Sequence, residues 1–264
     1  MSAAALEGEE PGILRVGGDI DYRPYSYVDS DGEPAGFDVE LVRLLGERLG
    51  LEVEFRLGPW EAVQGELKEG RVDLVVGMLF TLSRAEHFIF TDPYNSDTIS
   101  IFVSDDSPID SLRELESKSM AILEGDAIPE TVLRTNGIYS ELTTYPTFTE
   151  ALSSVSAGAT EYTMAPFAVG MELIGEANIR NLEVVGPPVY TIQYRLALNR
   201  EKRGLRDQIN RELGQLVGGA DFEGLEERWL NHRRSELSVR SALRYVAPLA
   251  VPTVLVLLAG WIWT

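Results

Sequence analysis

The chain has 264 residues, 44% of them hydrophobic, and a formal net charge of -19. That length and apolar content suit one large or two small domains with packed cores, and they exclude a disordered chain. The acidic balance leaves no basic stripe for phosphates, so nucleic acid is excluded as a partner. With no cysteine and two histidines, disulfides and thiolate chemistry are excluded and no zinc site is expected; no metal and no cofactor is predicted.

In chain order, Ile13–Gly17 reads as a first strand, ended by Gly18 and Asp19. A loop with Tyr22, Arg23, Pro24 and Tyr25 follows, then a turn at Asp29–Gly32. Asp19 reads as a turn residue and Tyr22 as a packed loop aromatic. A helix opens at Phe37, with Asp38 and Glu40 in its first turn where the dipole favours acids, and ends at Gly50. Phe37, Leu41, Leu44, Leu45 and Leu49 form its buried stripe. Val53–Leu57 is the second strand. Trp60 heads a helix over Glu61–Glu69 and reads by itself as core. Val72–Val76 is apolar on both faces and too short for a helix, so it belongs mid-sheet. From its C-terminal end runs the loop Gly77–Arg84, the place where ligands bind in open α/β sheets. Arg84 is then either a solvated charge or a planar fork for a carboxylate.

After Tyr94, Thr98–Val103 is a strand that leaves the first unit, and Asp105–Pro108 marks a boundary. A second β/α series follows. It has a helix near Ser111–Glu116, the strand Ser119–Leu123 and a turn at Gly125–Ala127. A helix then runs to about Thr135, followed by the strand Leu142–Tyr145, the helix Thr149–Ser156, the strand Tyr162–Ala165 and the helix Phe167–Glu176. The strand Leu182–Val185 stops at Gly186-Pro187-Pro188, and Tyr194–Leu198 is a separate strand. Leu205–Val217 and Phe222–Leu230 close the soluble part. Alternating strands and helices imply parallel sheet with helices on both faces.

Val72-Asp73-Leu74, Gly77-Met78, Thr81, Arg84 and Phe90-Thr91-Asp92-Pro93-Tyr94 occur in one order, preceded by Leu14-Arg15-Val16-Gly17 with Asp19 and Tyr22. This set resembles the family 3 extracellular solute-binding proteins, and the likeness runs from about Leu14 to about Leu230. The resemblance implies an α/β fold of the periplasmic-binding-protein type II kind, with two lobes joined by two hinge strands. Lobe one would take residues 11–98 and 190–232, and lobe two 99–189. It also implies a ligand cleft containing Asp19, Tyr22, Trp60, Gly77, Met78, Leu79, Arg84, Asp126, Ala127 and Pro166. Three of these depart from the family pattern, since Leu79, Ala127 and Pro166 stand where amino-acid binders carry polar groups. An ordinary α-amino acid is therefore a poor candidate. A less polar carboxylate on Arg84, walled by Leu79, Trp60 and Tyr22, is expected instead. A second expectation is that Asp126 crosses the cleft to Arg84 and holds the lobes together.

The C-terminal stretch Val246–Trp263 is 18 residues without charge, enough as a helix to span about 27 Å. Tyr245, Trp261 and Trp263 lie at its ends, where aromatic belts form. The expectation is a juxtamembrane linker over 233–245 and a transmembrane helix over 246–263. Residues 1–245 would then lie outside the inner membrane, in the periplasm or extracellular space. Function follows as an extracytoplasmic sensor domain of a histidine kinase or diguanylate cyclase, without catalysis of its own. Its partners would be a small molecule, the membrane, and a second copy of the chain in a homodimer. The alternatives are a tethered binding protein of an ABC transporter and a periplasmic dehydratase or lytic enzyme; no nucleophile–base set stands out.

Overall fold

In the computed structural model, which describes residues 12–231, strand β1 (Ile13–Asp19) buries Leu14 and Val16. Next comes a small antiparallel sheet of β2 (Asp21–Tyr22), β3 (Ser26–Val28) and β4 (Pro34–Ala35). Helix α1 (Phe37–Leu49) lays Phe37, Leu41, Val42 and Leu45 on the core and ends where Gly50 turns left-handed. Then follow β5 (Glu52–Gly58), α2 (Trp60–Lys68) and β6 (Leu74–Leu79). β1 pairs in parallel with both β5 and β6, as expected for strands linked through helices. The one-turn helix α3 (Leu82–Ala85) is capped by Thr81, whose Oγ1 accepts from the Arg84 N–H at 3.1 Å. β7 (Phe88–Phe90) completes this set.

Strand β8 (Asn95–Ser104) carries the chain into the second set. This comprises β9 (Ser119–Leu123), a wide helical turn at Pro129–Arg134, β10 (Glu141–Tyr145), α4 (Phe148–Ser156), β11 (Tyr162–Pro166) and α5 (Phe167–Glu176). The 18-residue strand β12 (Leu182–Asn199) brings the chain back to α6 (Arg203–Leu216) and α7 (Ala220–Glu226). The sheet order is β10-β9-β11-β8-β12-β6-β1-β5, with β7 also on β12. β8 and β12 are thus the two shared strands. β12 pairs with β8 through Leu182–Val185 and Tyr190–Tyr194, then with β6 through Tyr194–Leu198.

Three expectations change here. The loop expected over Gly77–Arg84 is strand β6 as far as Leu79 and helix α3 from Leu82. Leu182–Val185 and Tyr194–Leu198 are one strand, not two; Gly186, Pro187 and Pro188 sit in a register shift between Val185 and Tyr190. A bulge is where proline, lacking a ladder N–H, is tolerated in a sheet. The helix expected at Ser111–Glu116 is a single tight turn at Leu112–Glu114. The anticipated lobe limits, 98/99 and 189/190, fall inside β8 and β12. The linker at 233–245 and the span at 246–263 lie outside the described residues. Within the described residues no helix is long and apolar enough to cross a membrane.

One apolar cluster runs through both lobes, from Val16, Phe37 and Leu74 to Met120, Leu152 and Tyr162. Burying each such side chain contributes about 1.5–3 kcal/mol. Several motif residues serve this frame. Asp73 Oδ2 accepts from the Arg15 N–H at 2.9 Å, and its Oδ1 pairs with Lys202 Nζ at 2.8 Å. Thr91 Oγ1 accepts from the Leu196 N–H at 3.0 Å, fixing the returning strand.

Candidate functional site: a cavity between the lobes

The C-terminal ends of the parallel strands meet at one cavity. β1 delivers Asp19, β2 Tyr22, and β6 Val76, Gly77 and Leu79; helices α2 and α3 add Trp60 and Arg84. The other lobe adds Leu123 from the end of β9, Asp126 and Ile128 from the loop after it, Phe148 from the first turn of α4 and Pro166 from the end of β11. Ile99 of β8 and Ile192 and Tyr194 of β12 line the hinge side, and Ser26 the floor. Counted out to the solvent at its mouth, the space is about 470 Å³.

Arg84 is the one cation among the described residues lining this space, and it is only 8% exposed. Its Nη1 donates to Leu79 O at 2.9 Å, and its Nη2 crosses the cleft to donate to Gly125 O at 3.0 Å. The Trp60 ring lies 5.5 Å from its guanidinium carbon, within cation–π reach. The guanidinium is thus an interlobe tie rather than an open fork for a carboxylate. Burial lowers its pKa, opposed by the carboxylates of Asp126 and Glu130.

The expected Asp126–Arg84 bridge is replaced by this carbonyl contact. The Asp126 carboxylate is turned to its own backbone, its Oδ1 accepting from the Ala127 N–H at 2.5 Å and the Ile128 N–H at 3.3 Å. A short polar side chain placed before a helical turn satisfies those amides in this way. Burial raises the Asp126 pKa, while Arg84 and the two amides oppose the rise. The Gly125 carbonyl also accepts from Gln64 Nε2 at 3.1 Å. At the rim, Ser83 Oγ donates to Glu130 Oε2 at 2.9 Å. Gly125 itself has φ +74°, and a Cβ there would lie 2.8 Å from Gln64 Nε2 and 3.2 Å from Glu61 Cβ. Only glycine permits that approach of the lobes.

Asp19 is 4% exposed. Its Oδ1 accepts from the Asp21 N–H at 2.7 Å, while its Oδ2 is buried without a hydrogen-bond partner. Burial pushes its pKa up to about 7; the Asp21 amide opposes this, and the Asp21 and Asp126 carboxylates add to it. The Tyr22 and Tyr194 hydroxyls share a hydrogen bond of 3.0 Å. The Tyr22 ring centroid stands 5.9 Å from that of Phe148 in the opposite lobe. Behind Gly77 lies Asp38, whose Oδ1 accepts from Tyr94 Oη at 2.8 Å and whose Oδ2 is also unpartnered.

Of the ten residues expected in the cleft, Asp19, Tyr22, Trp60, Gly77, Leu79, Arg84, Asp126 and Pro166 line the cavity. Met78 does not. It is fully buried in the core and lies outside the cavity lining. Ala127 is buried beside the cavity and does not line it. Phe148, Ile192 and Tyr194 were missed as wall residues. Apolar residues at the start of a helix or in a strand read simply as core, and Tyr194 as the head of the returning strand was the one available signal.

Similarity to known proteins agrees with this architecture. Residues 14–232 match the description "Bacterial extracellular solute-binding proteins, family 3". The crystal structure of a histidine kinase sensor domain with similarity to periplasmic binding proteins superposes with a TM-score of 0.79, at 32% identity over 84% of this chain and 97% of that one. A probable amino-acid ABC transporter-binding protein of Haemophilus influenzae is 34% identical over 115 residues, which is 43% of this chain and 45% of that protein. The L-cystine-binding protein TcyJ of Escherichia coli is 24% identical over 225 residues, 84% of each chain. The chain belongs to the bacterial extracellular solute-binding proteins of family 3.

Proposed function

We propose that this domain is the extracytoplasmic ligand sensor of a membrane-bound signalling protein, and that it works by binding rather than catalysis. A small molecule taken up between the lobes would bind the closed arrangement better than an open one, and that difference in affinity is what a sensor transmits. The segment after α7 would carry the change to a membrane helix and, in a homodimer, to the partner copy. The single observation that carries the reading is the cavity itself, walled by side chains from both lobes and spanned by Arg84. The likeness to a histidine kinase sensor domain across 97% of that structure supports the signalling role.

The test is a thermal-shift screen of the full chain in detergent against small metabolites. At least one compound should raise the melting temperature in proportion to its concentration; a ligand at a hundred times its Kd adds about 2.7 kcal/mol. The shift should vanish in Leu79→Trp, which fills the cavity. A folded protein that no compound stabilises would refute the reading.

The curated relatives favour a second reading, a binding protein that serves a transporter. An immunoblot of the source cells separates the two. A band far larger than 264 residues, in the membrane fraction, supports the sensor; a band of this size supports the transporter protein.

A further inference from the structure

The two edges of the main sheet differ in what they show to solvent. β5 forms one edge, and its exposed residues are Glu52, Glu54 and Arg56. Charges on an edge strand discourage pairing with another chain. β10 forms the other edge and pairs, among the described strands, with β9 alone. Glu141, Leu142, Thr143 and Thr144 are all exposed there, and Tyr139 just ahead of them stands 78% exposed. Between Arg134 and Glu150 the only charged residue is Glu141, in a chain of net charge -19. An edge so uncovered and so nearly free of charge is a template for one more strand.

The ladder fixes which backbone groups of β10 are left over. The Glu141 N–H donates to Lys118 O at 3.0 Å, and Tyr145 O accepts from the Glu124 N–H at 2.9 Å. Alternate residues of a strand turn to the same neighbour, so Glu141, Thr143 and Tyr145 bond β9, while the N–H and C=O of Leu142 and Thr144 point off the sheet. An antiparallel copy of the same strand uses all of these in one register. Leu142 exchanges both bonds with the partner's Thr144, Thr144 with the partner's Leu142, and Thr143 faces the partner's Thr143 on a two-fold axis. This register also keeps like charges apart. Glu141 stands opposite the partner's Tyr145 and about 14 Å from the partner's Glu141, beyond the screening length at physiological salt. For a chain this acidic, self-association is least opposed where carboxylates are fewest.

We propose that β10 is a homodimer edge, at which two copies of this chain pair antiparallel and continue one sheet across a two-fold axis at Thr143. This gives the homodimer of the sensor reading its surface, and it does not depend on what the cavity binds. A five-residue strand falls short of the roughly 20–30 residues a side of a standard interface. The pairing is therefore weak between free copies and gains from tethering to one membrane.

Because the chain has no cysteine, a single introduced one reports its own approach to a second copy. The experiment is oxidation of the full chain in detergent with copper phenanthroline, with the cross-linked dimer read on a non-reducing gel. Facing residues of a non-hydrogen-bonded antiparallel pair have Cα atoms about 4.5 Å apart, within disulfide reach, whereas about 14 Å is out of reach. Thr143→Cys should therefore cross-link at least tenfold faster than Glu141→Cys, an exposed position on the same face of the same strand. It should also exceed Val217→Cys, an exposed position in the other lobe, by the same margin. Thr144→Pro, added to Thr143→Cys, removes an N–H that β9 does not use and should slow the reaction at least fivefold. Leu142→Lys, which sets two like charges diagonally across the axis, should do the same and serves if the proline variant does not fold. A Thr143→Cys rate within tenfold of either cysteine control overturns the inference, and so does a rate that neither added substitution lowers. In those cases the edge is left to another occupant or to none, and the ligand-binding reading of the cavity still stands.

Discussion

The two faces of the cleft are built from different parts of the chain's chemistry. The first lobe presents side chains: Asp19, Tyr22, Trp60 and Arg84, each placed by a strand end or a helix start. The second presents an apolar wall of Leu123, Ile128, Phe148 and Pro166, and its carboxylate, Asp126, serves its own backbone. What it offers to Arg84 is a peptide carbonyl, that of Gly125. One lobe therefore brings polar side chains to the cavity while the other brings an apolar cover. Affinity and pH response should be set on the first face, and closure on the second.

The largest expected effect tests the first face. Asp19 and Asp38 are both buried, each with an unpartnered oxygen, and burial pushes each up to about 7 from an ordinary 3.8. Between about pH 4 and 7 the folded chain holds these protons while the unfolded chain has released them. Stability therefore falls as pH rises through that window, and above it the full penalty stands. For Asp38 a shift of that size corresponds to a penalty on the order of 4 kcal/mol. Asp38→Asn keeps an acceptor for the Tyr94 hydroxyl and removes the charge. It should raise stability at pH 8 and change it little at pH 4, read from urea unfolding at the two values. An equal gain at both pH values would show that charge is not the cause.

The second face is probed at Gly125. Gly125→Val forces a side chain into left-handed backbone and into contact with Glu61 and Gln64 across the cleft. Gly137→Val meets the same backbone problem at φ +67° with nothing within 4 Å of its Cβ. Backbone strain should cost both variants about 1–3 kcal/mol. Only Gly125→Val should also enlarge the radius of gyration in solution scattering. If both or neither do so, closure is not organised around Gly125.

That contrast between the faces also explains what the sequence could show. The strand and helix order was legible from hydrophobic period, and the family resemblance supplied the hinge strands and most first-lobe cavity positions, Met78 excepted. Motif conformity did not separate roles, however. Asp73 and Thr91 hold strands together, and Tyr94 bonds Asp38 beneath the cavity. The second face was read less well. A carbonyl is the same for every residue, so nothing in the sequence announces that Gly125 O, and not the adjacent Asp126 carboxylate, receives Arg84. In the same way, Gly186-Pro187-Pro188 has the composition of a chain break. Only the pairing of the flanking residues with β8 reveals a bulge within one strand.

Arg84→Lys sharpens the comparison at the point where the faces meet. A planar fork reaches two carbonyls at once, in its own lobe and in the other, and a single ammonium on a flexible stem does not hold both in that geometry. Leu79 O and Gly125 O are only partly shielded, and Gln64 Nε2 still donates to Gly125 O, so losing one of the two Arg84 bonds costs about 0.5–1.5 kcal/mol. Arg84→Lys should fall in that range by urea unfolding, with scattering shifted toward the open form. No loss at all would mean that the tie contributes nothing to closure.

The smallest effect belongs to the rim. Ser83 Oγ crosses the cleft to Glu130, but the bond is exposed and the serine hydroxyl also bonds Thr81 Oγ1 at 2.9 Å. Water replaces an exposed hydrogen bond at little cost, and screening weakens the carboxylate's share. Ser83→Ala should therefore lose less than about 1 kcal/mol and leave the scattering profile unchanged. The contact count across the cleft is then a poor guide to closure, because two bonds of similar length, Arg84 to Gly125 and Ser83 to Glu130, differ in how much water they exclude. If Ser83→Ala opened the lobes as far as Gly125→Val, exposure would not rank these contacts, and closure would be shared along the rim instead of concentrated on the one carbonyl that receives the buried Arg84.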